Sequence, residues 1–171
     1  MTKAEIIAAL RKNFDVRELV CPHTYARYGE NSWLYMQTPI LHTLLVLRTK
    51  ILNVPLTINT YPMRGTITQR GLRCNLCPMV KNDKTEKGLL YLSAHIQGLA
   101  LDIVSSKMTA EQMRQKIYAN ASLLPYPVRI EDNGDGTPNW LHIDCYDTAK
   151  GKKITPFKGK RYDKTRNNPT H

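Results

Sequence analysis

A small α+β fold, with helices packed on a short central antiparallel sheet, is what this 171-residue chain predicts. Two helical stretches open with capping signals, at Thr2 and at Thr109, and a longer apolar stripe runs between Trp33 and Leu52. Short alternating stretches at 99–104, 127–131 and 140–144 read as strands, the last two separated by Asn-Gly and Asp-Gly turn steps. The length suits one domain with an ordinary core. No apolar run approaches the ~20 residues that a membrane-spanning helix needs.

Thr2 with Glu5 forms a capping box for a first helix through about Lys12, with Ile6, Ile7 and Leu10 on one face. Phe14 to Leu19 reads as a short helical turn docking an aromatic into the core. In the Trp33–Leu52 stretch, Leu41, Leu44, Leu45, Leu47 and Ile51 supply the apolar stripe, and the helix is expected to begin just before Pro39, where proline is tolerated. Pro55 to Thr60 reads as a strand. From Tyr61 to Leu92 a long loop rich in Pro, Gly, Lys and Asn follows, of the kind that is functional or disordered in compact domains. Thr109 and Gln112 cap a helix to about Asn120, with Met108 and Met113 in the core.

The formal charge is +11, unevenly placed. From Thr148 onward there are eight Lys or Arg against Asp163 alone. The chain is therefore divided into a domain over 1–147 and a basic, mobile tail over 148–171 that favours polyanions or simply aids solubility. The N-terminus lacks the apolar segment of a secretory signal, so synthesis in the cytoplasm is expected. Cys21, Cys74, Cys77 and Cys145 are too few for a disulfide scaffold at this size. Cys74-Asn75-Leu76-Cys77 has a spacing that can clamp a metal, do redox chemistry or do neither. A structural zinc there needs two more ligands, from Cys21 with His23 or from Cys145; plain reduced thiols are the expectation ranked above it.

The chemistry gathers in Ser93-Ala94-His95-Ile96-Gln97-Gly98-Leu99-Ala100-Leu101-Asp102 and Trp140-Leu141-His142-Ile143-Asp144. His95 and Asp102 are too far apart for neighbouring turns of one helix. They suit a loop imidazole, a tight turn at Gly98 and a strand carrying the carboxylate. With His142 on a second strand, two His and one carboxylate leave a fourth position to water, the pattern of a catalytic zinc site. The bland alternative is a half-buried His beside a strand and an Asp that forms a turn.

Ser-x-His-x-x-Gly-x-Ala-x-Asp followed by Trp-x-His-x-Asp resembles the zinc D-alanyl-D-alanine carboxypeptidase and dipeptidase family, which includes phage-type L-alanyl-D-glutamate endopeptidases. The resemblance spans roughly Phe14 to Asp144, and the two metal motifs are its specific part. It implies the fold of that family, shared with hedgehog domains, one catalytic zinc held by His95, Asp102 and His142, and hydrolysis of D-amino-acid-containing stem peptides of peptidoglycan. Arg70-Gly71-Leu72-Arg73 sits where the family has a short Gly-x-Arg element whose arginine steadies substrate and oxyanion; Arg73 is the first candidate and Arg64 the second.

Hydrolysis also needs a carboxylate to move the proton of the attacking water. The family commonly has an acid three residues before the second His, where this chain has Asn139. Glu131, across the expected hairpin, or Asp144, on the face of His142, is left to serve; Asp144 is equally suited to orienting an imidazole. The expectation is a monomeric, phage- or prophage-type lytic enzyme that acts on the wall after release, its tail free to meet anionic envelope polymer. The alternatives are a catalytically silent zinc-containing relative that binds cell wall, favoured by Asn139, and nucleic-acid binding through the tail.

Overall fold

The computed structural model of the chain describes residues 1–132, 139–146 and 150–159. The Asn-Gly and Asp-Gly turn and residues 160–171 of the expected tail lie outside the described residues.

The Thr2–Glu5 capping box opens α1 (Lys3–Leu10) as expected, and the helix stops two residues short of Lys12. Asp15 and Glu18 form a second box at α2 (Val16–Leu19), and Phe14 is buried ahead of it. α3 (Pro22–Tyr28) follows, then a 3₁₀ stretch over Gly29–Tyr35. The helix of the Trp33–Leu52 stretch begins just before Pro39, as expected: α4 (Thr38–Val46) carries Pro39 in its first turn and continues into a π-helical turn over Leu47–Ile51. Its apolar stripe is buried from Ile40 to Ile51.

Pro55–Thr60 is not a strand. Its backbone groups go to three different partners: Thr57 bridges Val104 with bonds of 2.8 and 2.9 Å, Asn59 N–H reaches Glu18 O, and Thr60 N–H reaches Ile67 O. No continuous ladder can form. The buried Asn59 side chain donates to Val20 O at 3.0 Å and accepts from Arg70 N–H at 2.9 Å, tying the loop after it to the end of α2. That loop contains only short helical pieces, including α5 (Pro78–Lys81).

The sheet has the order β1 (Ala100–Ile103), β3 (Leu141–Asp144), β2 (Val128–Glu131), β4 (Ile154–Phe157). The first three strands are antiparallel neighbours, as the sequence predicts; β4 adds a parallel edge on β2. The fold is accordingly α+β. β4 falls inside the stretch expected to be a mobile tail and pairs with β2 at the edge of the sheet. Pro156 is tolerated because β4 is an edge strand.

Successive strand residues face opposite sides. Leu101, Ile103, Val128, Ile130, Leu141 and Ile143 face the helices and are buried. α6 (Ala110–Ala119), with the Thr109–Gln112 capping box, covers this side with Met113 and Ile117. The alternate positions, Asp102, Arg129, Glu131, His142 and Asp144, share the other face. Among the described residues no helix is long and apolar enough to cross a membrane.

Candidate metal centre

The β1–β3 register sets Asp102 directly opposite His142. Asp102 Oδ1 and His142 Nδ1 are 2.7 Å apart. His95 joins them from the turn before β1, which bends at Gly98 with φ of +67°. A Cβ on Gly98 would stand 2.1 Å from Tyr35 O, so only glycine fits this turn. His95 Nδ1 lies 2.9 Å from Gly71 O, and its Nε2 lies 3.4 Å from Asp102 Oδ2. One ligand atom from each of His95, Asp102 and His142 lies within 4.8 Å of the others, so the three can hold a metal ion.

The imidazole partners fix which nitrogens are available. Gly71 O can only accept, so His95 Nδ1 carries a proton, and Nε2 is the nitrogen directed at Asp102, a donor to it when protonated and a ligand when not. His142 Nε2 is 3.3 Å from Asp144 Oδ2, which leaves His142 Nδ1 to face Asp102. An imidazole held at its other nitrogen by a carbonyl or carboxylate is the usual arrangement of a metal-ligating histidine.

Two arginines neutralise the carboxylates. Arg73 donates to Asp102 Oδ2 at 3.0 Å, to Gln69 O at 2.6 Å and to the Tyr91 hydroxyl at 3.3 Å. Arg129 forks onto both oxygens of Asp144 at 2.8 Å, with its guanidinium carbon 4.7 Å from the centre of the Phe157 ring and 4.8 Å from that of Tyr146. Asp144 is fully buried and also accepts from Tyr146 N–H at 3.1 Å.

Burial opposes the charge on Asp102, yet the hydrogen bonds from His142 and His95 outweigh it and hold the carboxyl well below the usual carboxylate range. Burial also opposes protonation of His142, but its bonds to Asp102 and Asp144 push it up to about 9. For His95 burial dominates and pushes it down. Burial raises Asp144, and the bonds from His142 and Arg129 more than reverse this.

Of the residues the sequence singles out, His95, Asp102, His142, Asp144 and Arg73 come together. Glu131 ends β2, half-buried, on the same face; the Arg129–Asp144 and Ile130–Ile143 register carried one residue further sets it level with His142. Arg64 does not join them: it is exposed in a left-handed conformation at the end of a 3₁₀ turn. Asn139 is exposed and lines a cleft of about 640 Å³ with residues 104–114, a cleft to which none of the three ligands contributes. A second cleft, of about 830 Å³, is lined by Arg73, Cys74, Asn75, Ile96, Gln97 and Tyr35 among others; none of the three ligands lines it either.

Arg129, Tyr146 and Phe157 are not among the residues singled out from the sequence. The signal for Arg129 was its place in the alternation of β2, two residues before Glu131.

Cys21, His23, Cys74 and Cys77 form a second group whose ligand atoms lie within 4.8 Å of one another and can hold a metal ion. All four cysteines are free thiols, and Cys145 is elsewhere, 3.6 Å from the Thr43 hydroxyl.

No protein-family model matches the chain, and neither a curated protein nor a solved structure matches it.

Proposed function

We propose that the protein is a zinc-dependent peptidase that cleaves D-amino-acid-containing stem peptides of peptidoglycan, with the fold of the D-alanyl-D-alanine peptidases it resembles. The observation that carries this reading is the convergence of His95, Asp102 and His142, each imidazole held at its other nitrogen, by Gly71 O and Asp144. His95 Nε2, an Asp102 oxygen and His142 Nδ1 would hold the ion. That donor set, three protein groups of nitrogen and oxygen, suits zinc with a position left open. When bound, zinc supplies Lewis acidity toward a scissile carbonyl and lowers the pKa of water toward ~7.

The chain's own residues do the rest. Glu131 accepts the proton of the attacking water and returns it to the leaving amine, a role supported by its half-buried position on the ligand face. Asp144 is a positioning residue: both oxygens are committed to Arg129, Tyr146 and His142, so it orients the imidazole. Arg73 fixes Asp102 and also lines the second cleft, where its charge would favour the carboxylates of a stem peptide. The basic residues from Lys150 onward support attachment to anionic envelope polymer. A phage-type lytic enzyme, acting on the wall after release, fits these features.

Asn139 favours a second reading, a relative that binds zinc and cell wall without hydrolysis. Digestion of purified peptidoglycan by the wild type and Glu131→Gln separates the two. Release of new amino termini by the wild type, with a loss of about 10²- to 10⁴-fold in Glu131→Gln at unchanged zinc content, supports the peptidase. No release by a zinc-loaded wild type supports the silent relative.

A further inference from the structure

The loop that supplies Gly71 and Arg73 to the metal centre runs through some thirty residues with little regular structure. Arg73 N–H to His95 O at 3.2 Å and Asp102 N–H to Arg70 O at 2.8 Å fasten it at the metal centre, and a parallel bridge, Val20 with Leu72, brings it against the end of α2: Cys21 N–H reaches Leu72 O at 3.0 Å and Leu72 N–H reaches Leu19 O at 2.8 Å. The approach is so close that a Cβ on Gly71 would stand 2.0 Å from Leu19 O. The bridge delivers Cys21 and His23, at the start of α3, to Cys74 and Cys77, just before α5.

There the sulfurs and the imidazole face one another. Cys74 Sγ is 3.9 Å from Cys77 Sγ, and His23 Nδ1 is 3.7 Å from Cys74 Sγ and 3.9 Å from Cys77 Sγ. A tetrahedral zinc with ordinary bond lengths has sulfur–sulfur edges of about 3.8 Å and sulfur–nitrogen edges of about 3.6 Å. A disulfide needs about 2.0 Å between sulfurs. These three edges match coordination and not a disulfide, and Cys21 Sγ, 3.2 Å from the Thr24 hydroxyl, completes the group within 4.8 Å of the other ligand atoms. Cys74 N–H also points at Cys77 Sγ, 3.4 Å away, a donor suited to a thiolate. Cys21 and Cys77 are fully buried in a small cluster with Val80, apart from the main core, packed by Cys74, Tyr91 and Ile96. Leu72 anchors the loop in the main core, but so small a cluster gives the Cys74–Cys77 segment little hydrophobic anchorage of its own.

We propose that Cys21, His23, Cys74 and Cys77 bind a structural zinc that pins this loop to α3 and thereby holds Gly71 and Arg73 against His95 and Asp102. Three thiolates and one imidazole close the coordination shell, leaving no position for water, as structural zinc sites do. On binding, the thiols that are still protonated release their protons to solvent. The site does not depend on the peptidase reading.

Elemental analysis of the full chain tests it, using wild type, His95→Ala/His142→Ala, and that double variant with Cys74→Ser added. The expected contents are two zinc ions, one and none. The cobalt-loaded His95→Ala/His142→Ala protein should show the near-ultraviolet thiolate-to-cobalt charge-transfer band, lost or reduced once Cys74 is replaced. This spectrum reads thiolate ligation even if a cysteine variant folds poorly. His23→Ala, at an exposed position, should keep the band and release zinc more readily to a chelator. A double-histidine variant without metal, a cobalt form lacking the band, or a metal-free protein lighter by two hydrogens from a Cys74–Cys77 disulfide would each overturn the proposal. One ion at the thiolates with none at His95 and His142 would sustain it while refuting the peptidase.

Discussion

Asp144→Asn distinguishes a residue that orients a ligand from one that moves a proton. Asparagine keeps the shape of the side chain and removes its charge, leaving Arg129 without its ionic partner and His142 Nε2 with a weaker acceptor or none. Removing one member of a buried pair costs about 3–5 kcal/mol. Asp144 is fully buried but the Arg129 side chain is 26% exposed, so water recovers part of that cost and about 2–3 kcal/mol is expected. For a domain of this size that lowers Tm by roughly 4–12 °C. Losing the group that orients a ligand imidazole costs 10- to 100-fold in metal affinity, or about 1.4–2.7 kcal/mol. Chelator competition measures the affinity, urea unfolding the stability, and peptidoglycan digestion at saturating zinc the turnover. The expected outcome is weaker zinc binding with most of the turnover restored by excess zinc. Unchanged affinity with turnover reduced about 10²-fold or more at saturating zinc would refute the positioning role and make Asp144 the proton carrier.

Ending the chain at Gly151 removes β4 with Phe157, whose ring centre stands 5.5 Å from that of His142; stability to urea and zinc affinity should both fall, whereas a dispensable tail would leave them unchanged. Gly98→Ala forces a side chain into a left-handed turn against Tyr35 O, so a loss of about 1–3 kcal/mol in urea unfolding and weaker zinc binding are expected. Arg73→Lys loses the fork that spans Asp102, Gln69 and Tyr91 and should lower zinc affinity, while Arg64→Ala should stay within about 0.5 kcal/mol of wild type in stability and leave activity unaltered.

Local signals were the legible ones. The Thr2–Glu5 and Thr109–Gln112 boxes each satisfy helix-end N–H groups within four residues, so α1 and α6 could be read without knowing what they pack on. Alternation in 127–131 and 140–144 located β2 and β3, and the two motifs singled out His95, Asp102 and His142, which β1–β3 pairing and the turn at Gly98 bring together. Pro55–Thr60 looked like a strand from its residue types, but pairing there is decided by Glu18 and Val104, which are distant in sequence, and by the turn that brings Ile67 back to Thr60. β4 was hidden by the lysines on either side of it, Lys152, Lys153 and Lys158, and by Pro156, which suit an edge as well as a tail. Arg129 resembled a solvent-facing residue of an alternating strand; its role emerges only when β3 sets Asp144 opposite it. The convergence of His23 with Cys74 and Cys77 depends on the close bridge at Gly71, which spacing alone does not reveal.

Anomalous diffraction at the zinc edge from crystals grown with zinc would test the metal centre most directly. A peak bonded to His95 Nε2, an Asp102 oxygen and His142 Nδ1, with His142 Nε2 still directed at Asp144, is the result expected. A structure with zinc present in the crystal and no peak among these three side chains would contradict it.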